Sequence, residues 1–193
     1  MKSWFRWIAV TALLAFGAAV QAQPVEMEGQ KFEPTVQVGG QTLQLNGVGL
    51  RKRAIFKVYV NGLYVPQKST DAATLINEKG PRRASLHMLR EVDADSFVSA
   101  FTDGMRNNLT EAQMAALKPQ IDVFTSTLKS IGEAKKGDVI NFDYTPDGGT
   151  RISVNGQPRG SAIPGHDFYS AVMRIWLGDK PVDDGLKKGL LGG

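Results

Sequence analysis

Apolar and polar residues alternate in short stretches near the start of the chain, which is the pattern of β-strands with one buried face. Residues 35–38 and 41–45 alternate in this way on either side of Gly39-Gly40, a dipeptide that accepts the positive φ angles of a two-residue turn. The pattern therefore predicts a β-hairpin. Residues 46–49, which read Asn-Gly-Val-Gly, predict a turn where the chain leaves this hairpin.

Residues 55–65 form the most β-prone stretch of the chain, and Pro66 closes it. One face of this strand is continuous and apolar and carries Phe56, Val58, Val60 and Tyr64. The opposite face carries Lys57, Tyr59 and Asn61. Because side chains of a strand alternate between its faces, we expect the first face to pack in the core and the second to meet a wetter environment.

Apolar residues recur at helical spacing in the middle of the chain. A short helix is predicted to end at Glu78, and residues 83–89 read as a strand. The next helix begins where Asp93 or Asp95 caps it, since a carboxylate at that position accepts from the first free backbone amides. A further helical stretch covers residues 110–132.

Strand patterns return in the last third of the chain. Residues 139–144, 150–154 and 157–163 predict a three-stranded meander, followed by an amphipathic helix over residues 166–177 and a short tail helix. Strands, clustered helices and strands again, without a βαβ rhythm, are typical of an α+β fold. We predict an antiparallel sheet covered on one face by a helical layer, in one domain over residues 23–193.

The first 22 residues have the pattern of a secretory signal peptide. Lys2 and Arg6 precede an uncharged apolar run over residues 8–20, and Val20-Gln21-Ala22 offers the small residues that a signal peptidase reads. The run is too short for a membrane span, which needs about 20 residues. We therefore expect a bacterial protein that is cleaved after Ala22 and resides in the periplasm, with no membrane span in its mature form.

Composition excludes several kinds of site. Cysteine is absent, so disulfides and thiolate chemistry are excluded, and His87 and His166 are the only histidines in the chain. No metal-ligand spacing and no phosphate or dinucleotide fingerprint is present, so we expect neither a metal nor a cofactor. Without Lys2 and Arg6 the net charge is +2, which gives no support to nucleic acid binding.

Residues 45–51 and 56–65 carry the most specific motif of the chain. They read Leu-Asn-Gly-Val-Gly-Leu-Arg and Phe-Lys-Val-Tyr-Val-Asn-Gly-Leu-Tyr-Val. This motif resembles the chalcone isomerase-like superfamily, in which a Gly-x-Gly-x-Arg turn feeds a strand reading Lys-Val-Tyr-x-x-Gly-Leu-Tyr, and the resemblance extends over most of residues 35–190. The superfamily contains plant isomerases that close a flavonoid ring, and relatives that resemble fatty-acid-binding proteins and lack that activity.

The resemblance favours the binding branch. Both branches share the arginine that corresponds to Arg51, but the isomerases have a threonine where this chain has Tyr59, and the fatty-acid-binding relatives have a tyrosine there. The isomerases also use polar side chains at the positions of Phe97, Gly104 and Ile175, none of which has a polar group in this chain. Ring closure needs polar donors that orient the phenolate and stabilise the enolate, so the resemblance implies binding without cyclisation.

Arg51 and Tyr59 together fit a carboxylate ligand. Arg51 offers a permanently charged planar fork, and Tyr59 offers a neutral hydroxyl donor. On one uninterrupted strand, however, these residues would lie roughly 26 Å apart, so sharing a headgroup needs a bend or bulge that the sequence does not show. Asn61, on the face of Tyr59, and Arg90, at a strand end, are predicted as further ligand contacts. The structural alternative is that Arg51 pairs with an acid and Tyr59 only packs.

The sequence leaves three functions open. The first is a monomeric periplasmic protein that holds an amphiphilic monocarboxylate, such as a fatty acid, in a cleft between sheet and helices and has no catalytic residues. The alternative is an intramolecular lyase-type isomerase acting on a chalcone-like or other unsaturated ligand. A third is an envelope protein that acts on a partner protein, for which the chain has no positive motif.

The signal peptide gives the first testable prediction. The exported protein is expected to begin at Gln23 or its cyclised form, because cleavage after Ala22 removes the basic and apolar segment. Intact-mass measurement of the exported protein checks this. A mass that still includes Lys2 and Arg6 contradicts it.

Overall fold

The computed structural model describes residues 23–193, and the predicted signal peptide lies outside the described residues. The strands are β1 (Val25–Met27), β2 (Gln30–Phe32), β3 (Thr35–Val38), β4 (Gln41–Arg53), β5 (Phe56–Val65), β6 (Arg82–Met88), β7 (Val139–Thr145), β8 (Gly149–Val154) and β9 (Gln157–Ile163). The helices are α1 (Ala72–Asn77), α2 (Ala94–Asn108), α3 (Glu111–Ala116), α4 (Lys118–Ile131), α5 (His166–Leu177) and α6 (Asp184–Leu190). Among these residues, no helix is both long and apolar enough to cross a membrane.

Strands β3 to β9 form one antiparallel sheet of seven strands, and each strand pairs with the next in the chain. The α+β prediction is confirmed, because the helices pack on one face of this sheet. Helix α5 lies at the centre of that packing and buries nine of its residues, which include Phe168, Tyr169 and Trp176. The predicted turns at Gly39-Gly40 and Asn155-Gly156 are also confirmed, with positive φ at all four residues.

The predicted exit turn at residues 46–49 is wrong, because β4 continues without a break to Arg53. Two glycines lie inside this strand because the backbone of α6 packs directly on them. A Cβ atom at Gly47 would lie 2.2 Å from the carbonyl oxygen of Gly189, and one at Gly49 would lie 2.4 Å from that of Leu186. These glycines therefore permit close approach of a second backbone and do not mark a loop.

The prediction that only one face of the strand over residues 55–65 packs in a core is also wrong. Tyr59 and Leu63 point into the large core under the helices, whereas Val60 and Tyr64 pack in a second core on the other side of the sheet. Both faces of β5 are buried, so alternation of apolar and polar residues could not identify the helix side. A bulge at Asn46 in β4 also shifts the pairing register between Leu45 and Gly47, which simple alternation does not predict.

A short hairpin that the pattern did not predict covers the second core. It is formed by β1 and β2, and its Phe32 is 1% exposed. The Phe32 ring stacks on His87 with 4.1 Å between ring centroids, and it occupies the space where a Cβ atom of Gly62 would stand. His87 is therefore a packing residue of the outer face, and burial lowers its pKa.

Close packing of α6 on β4 gives the second prediction. Gly47→Ala is expected to lower the free energy of unfolding by about 1–3 kcal/mol, because the added methyl overlaps backbone atoms that cannot rotate away. Urea unfolding followed by circular dichroism measures the change. Gln41→Ala, an exposed position on the same strand, is the control and is expected to have little effect. Equal stability of Gly47→Ala and wild type contradicts the packing argument.

Candidate functional site

A tight turn brings Arg51 and Tyr59 together. The chain reverses at Ala54-Ile55, where Ala54 has a φ of 53°, and pairs β4 with β5 so that Arg51 lies directly opposite Tyr59. The picture of one uninterrupted strand, with the two residues far apart, is therefore wrong. A register shift next to this pair leaves Val58 as an extra residue in β5, which is the bulge that the sequence did not reveal.

Beside this pair lies a cavity of about 460 Å³. Its walls are the inner face of the sheet, the segment that follows β6, and helices α2, α4 and α5. Apolar side chains form its depth and include Leu86, Phe101, Phe124, Phe142, Val172 and Ile175. Polar and charged side chains lie at its open end and include Arg51, Arg53, Tyr59, Arg90, Glu91 and Asp93. The cavity therefore has one charged end and one apolar end.

The Tyr59 hydroxyl is a buried hydrogen-bond donor at the charged end. Tyr59 is 8% exposed, and its oxygen accepts a hydrogen bond of 2.9 Å from Nε1 of Trp176 on α5. Because an indole can only donate, the proton of the Tyr59 hydroxyl remains available for an acceptor in the cavity. Burial raises the pKa of Tyr59, opposed by the Trp176 hydrogen bond and the Arg51 charge, so the hydroxyl is protonated at neutral pH.

Arg51 brings a positive charge next to that hydroxyl. Its guanidinium donates to the carbonyl of Lys52 and lies 3.7 Å from a carboxylate oxygen of Asp183. Asp183 already accepts from the backbone amides of Lys52 and Leu186, at 2.9 and 3.0 Å. Asp183 therefore mainly caps α6, and its contact with Arg51 is longer than a hydrogen bond. Arg51 therefore pairs with an acid, as the structural alternative predicts, and its side chain also lines the cavity.

Two other predicted contacts have different positions. Arg90 lies at the rim of the cavity, with its guanidinium carbon 4.6 Å from the centre of the Phe56 ring. Asn61 shares the inner face with Tyr59, opposite Gly49 and Leu86, but it does not line the cavity. Both polar atoms of its side chain are buried and have no partner among residues 23–193. Contact of Asn61 with a ligand stays a prediction.

The packing of α2 against α5 explains why residue 104 is a glycine. Phe97 and Ile175 line the cavity, while Gly104 on α2 faces Ile175 on α5. A Cβ atom at Gly104 would lie 2.8 Å from the Ile175 side chain, so the two helices approach too closely for a larger residue. Sequence reasoning missed Trp176 as a site residue. The apolar stripe that contains it in α5 predicted burial but gave no sign of the hydrogen bond to Tyr59.

Ser170, His166 and Asp167 also lie together near the start of α5, and none of them lines the cavity. Nε2 of His166 lies 2.8 Å from the carbonyl oxygen of Glu78 and therefore carries a proton. Ser170 donates to the carbonyl of Ile76 at 2.8 Å. Because Nε2 is already a donor, it cannot accept a proton from Ser170, and the cluster joins α1 to α5. Residues 23–193 also contain no group of three side chains that could hold a metal ion.

Comparison with known proteins agrees with this architecture. The chain matches the profile of the chalcone isomerase-like family over residues 24–192. No curated protein matches it. Among solved structures, it is similar to the crystal structure of a fatty-acid binding protein from Arabidopsis thaliana, with a TM-score of 0.71 and 18% sequence identity over 88% of this chain and 96% of that chain. At this identity the structural match establishes the fold.

The bond between Tyr59 and Trp176 gives the third prediction. Tyr59→Phe is expected to lower the free energy of unfolding by about 1–3 kcal/mol, because it leaves a buried indole N–H without its acceptor. In a Trp176→Phe background the same change is expected to cost less, since no donor is left unpaired. Urea unfolding of the four proteins of this cycle measures both values. Equal costs in the two backgrounds contradict the assigned bond.

Proposed function

This chain belongs to the chalcone isomerase-like family, and from that premise we propose that it binds an amphiphilic monocarboxylate, such as a fatty acid, in the cavity between sheet and helices. The carboxylate lies at Arg51 and Tyr59, and the hydrocarbon tail extends into the apolar depth. The observation that carries the proposal is the direct pairing of these two residues at the charged end of an otherwise apolar cavity.

The charged end fits a carboxylate because it offers two different donors. A carboxylate has two oxygens, so one can accept from the Arg51 guanidinium and the other from the Tyr59 hydroxyl. Trp176 fixes the position of that hydroxyl by donating to it, which lowers the entropic cost of ordering the donor on binding. Such a preorganised pair supports recognition of a single negative charge.

The apolar end fits a hydrocarbon tail. The cavity volume of about 460 Å³ lies within the range of small-molecule sites, roughly 300–1,000 Å³. Each methylene transferred from water into such a site contributes about 0.8 kcal/mol, so the tail supplies most of the affinity and the headgroup sets the orientation. Arg53 and Arg90 at the rim add positive charge along the entry path.

The apolar lining of the cavity favours binding of the ligand without ring closure. Phe97 and Ile175 present only apolar atoms to the cavity, and the space at Gly104 is filled by Ile175. Ring closure would need polar donors at such positions to stabilise the developing enolate. We also propose export to the periplasm, which is supported by the basic and apolar pattern of residues 1–22.

The fourth prediction tests the carboxylate contact. Arg51→Ala is expected to weaken binding of a long-chain fatty acid by about 1.5–3 kcal/mol, the contribution of a charge-assisted hydrogen bond. Binding of the fatty alcohol of equal chain length is expected to change little, because it has no charge. Trp176 is the only tryptophan beyond residue 22, so its fluorescence reports occupancy of the cavity directly.

Arg159→Ala, at an exposed position on β9, is the matched control and is expected to bind both ligands as wild type does. Equal affinity of wild type and Arg51→Ala for the acid ends the carboxylate assignment. Equal losses for acid and alcohol also contradict it, because they show that Arg51 supports the cavity and not the charge. Absence of binding of either ligand to the wild type overturns the proposed function itself.

A further inference from the structure

The turn between β4 and β5 exposes two large apolar side chains. Ile55 is 88% exposed and Phe56 is 53% exposed, the highest values for large apolar side chains among residues 23–193. Single exposed apolar residues are common on protein surfaces, but these two are adjacent and project from the end of a hairpin. Arg90 stacks on one side of the Phe56 ring, but about half of Phe56 and most of Ile55 stay exposed, so packing within residues 23–193 does not account for these apolar side chains.

Positive charge surrounds this apolar tip. Residues 51–57 contain four basic residues and no acidic one, although residues 23–193 as a whole carry a net charge of only +2. Arg51 and Lys57 have acidic neighbours, Asp183 and Glu28. Lys52 and Arg53, together with Arg90 beside the tip, form no ion pair among the described residues. The basic charge therefore remains available to an external anionic surface.

The tip of this hairpin also forms one edge of the cavity entrance. Arg53, Ala54, Phe56 and Arg90 line its open end, and the Arg90 guanidinium stacks on the Phe56 ring. Anything that binds Ile55 and its basic neighbours therefore lies directly over the entrance. Glu91 and Asp93 are acidic residues at the same rim, on the segment that follows β6, so the positive charge is concentrated on the hairpin side.

We infer that residues 52–57 dock the protein on an anionic lipid bilayer, with Ile55 inserted among the acyl chains and Lys52 and Arg53 on the lipid phosphates. Shallow apolar insertion combined with basic residues is the chemistry by which peripheral proteins hold such surfaces. Two apolar side chains on a convex turn offer far less area than a stable protein interface, which buries about 800 Å² on each partner. Docking would place the cavity entrance at the lipid surface.

The absence of cysteine allows a site-specific test. Ile55→Cys, labelled with an environment-sensitive fluorophore, is mixed with phosphatidylcholine vesicles that contain or lack phosphatidylglycerol. The emission is expected to shift to the blue with the anionic vesicles, and the shift is expected to weaken as salt is added. Val123→Cys, at a 42% exposed apolar position on α4 outside the cavity, carries the same label as control and is expected not to shift.

Unlabelled variants measure the two contributions separately by vesicle co-sedimentation. Lys52→Glu is expected to lower partitioning to anionic vesicles at least fivefold, which is the effect of losing one cation near such a surface. Ile55→Ser is expected to lower it by a similar factor through loss of insertion. Lys136→Glu, an exposed position before β7, matches the charge change and is expected to leave partitioning nearly unchanged.

Three outcomes overturn the docking inference. These are absence of a shift at position 55 with every vesicle, equal shifts with neutral and anionic vesicles, and equal shifts at positions 55 and 123. None of these vesicle measurements requires a ligand in the cavity, and the fatty acid titration requires no vesicle. A protein that binds vesicles but no fatty acid contradicts only the proposed function, and the reverse result contradicts only the docking.

Discussion

The pairing register of β4 and β5 is the constraint on which the site depends. Both faces of β5 are buried, so a slip of one residue would move Tyr59 from the cavity to the outer core under the β1–β2 hairpin. The bulges at Asn46 and Val58 fix this register on either side of the Arg51–Tyr59 pair. The Asn46 side chain further stabilises its bulge by hydrogen bonds to backbone atoms of Ser69 and Leu190.

The same pairing connects the sheet to two helices at one point. Arg51 approaches Asp183 at the start of α6, and Tyr59 accepts a hydrogen bond from Trp176 on α5. The sheet therefore supplies the two donors, the helices hold them in place, and apolar side chains from both sheet and helices form the rest of the cavity. Close contact of α6 with Gly47 completes this arrangement, since a side chain there would push the helix and Asp183 away.

Local sequence signals predicted the local structure well. Gly39-Gly40 and Asn155-Gly156 have backbone freedom that few other residues share, and residues 166–177 have a helical apolar stripe, so these elements followed from short-range chemistry. The turn at Ala54-Ile55 has no such signature and was missed. The glycines of β4 resemble a turn in the sequence, because the helix backbone that packs on them is a long-range contact. The partnership of Tyr59 with Trp176 spans distant parts of the chain, and no pattern within either segment encodes it.

The proposed function requires a carboxylate beside the Arg51 guanidinium in a largely apolar cavity. Carbon-13 NMR of a carboxyl-labelled fatty acid bound to the protein tests this most directly, because the carboxyl shift reports ionisation of the bound headgroup. The pKa of the bound carboxyl is expected to lie below the usual carboxyl range of roughly 4 to 4.5, because the Arg51 charge and the Tyr59 donor stabilise the ionised form. A bound carboxyl whose pKa is unchanged from water, or raised by burial, would contradict it.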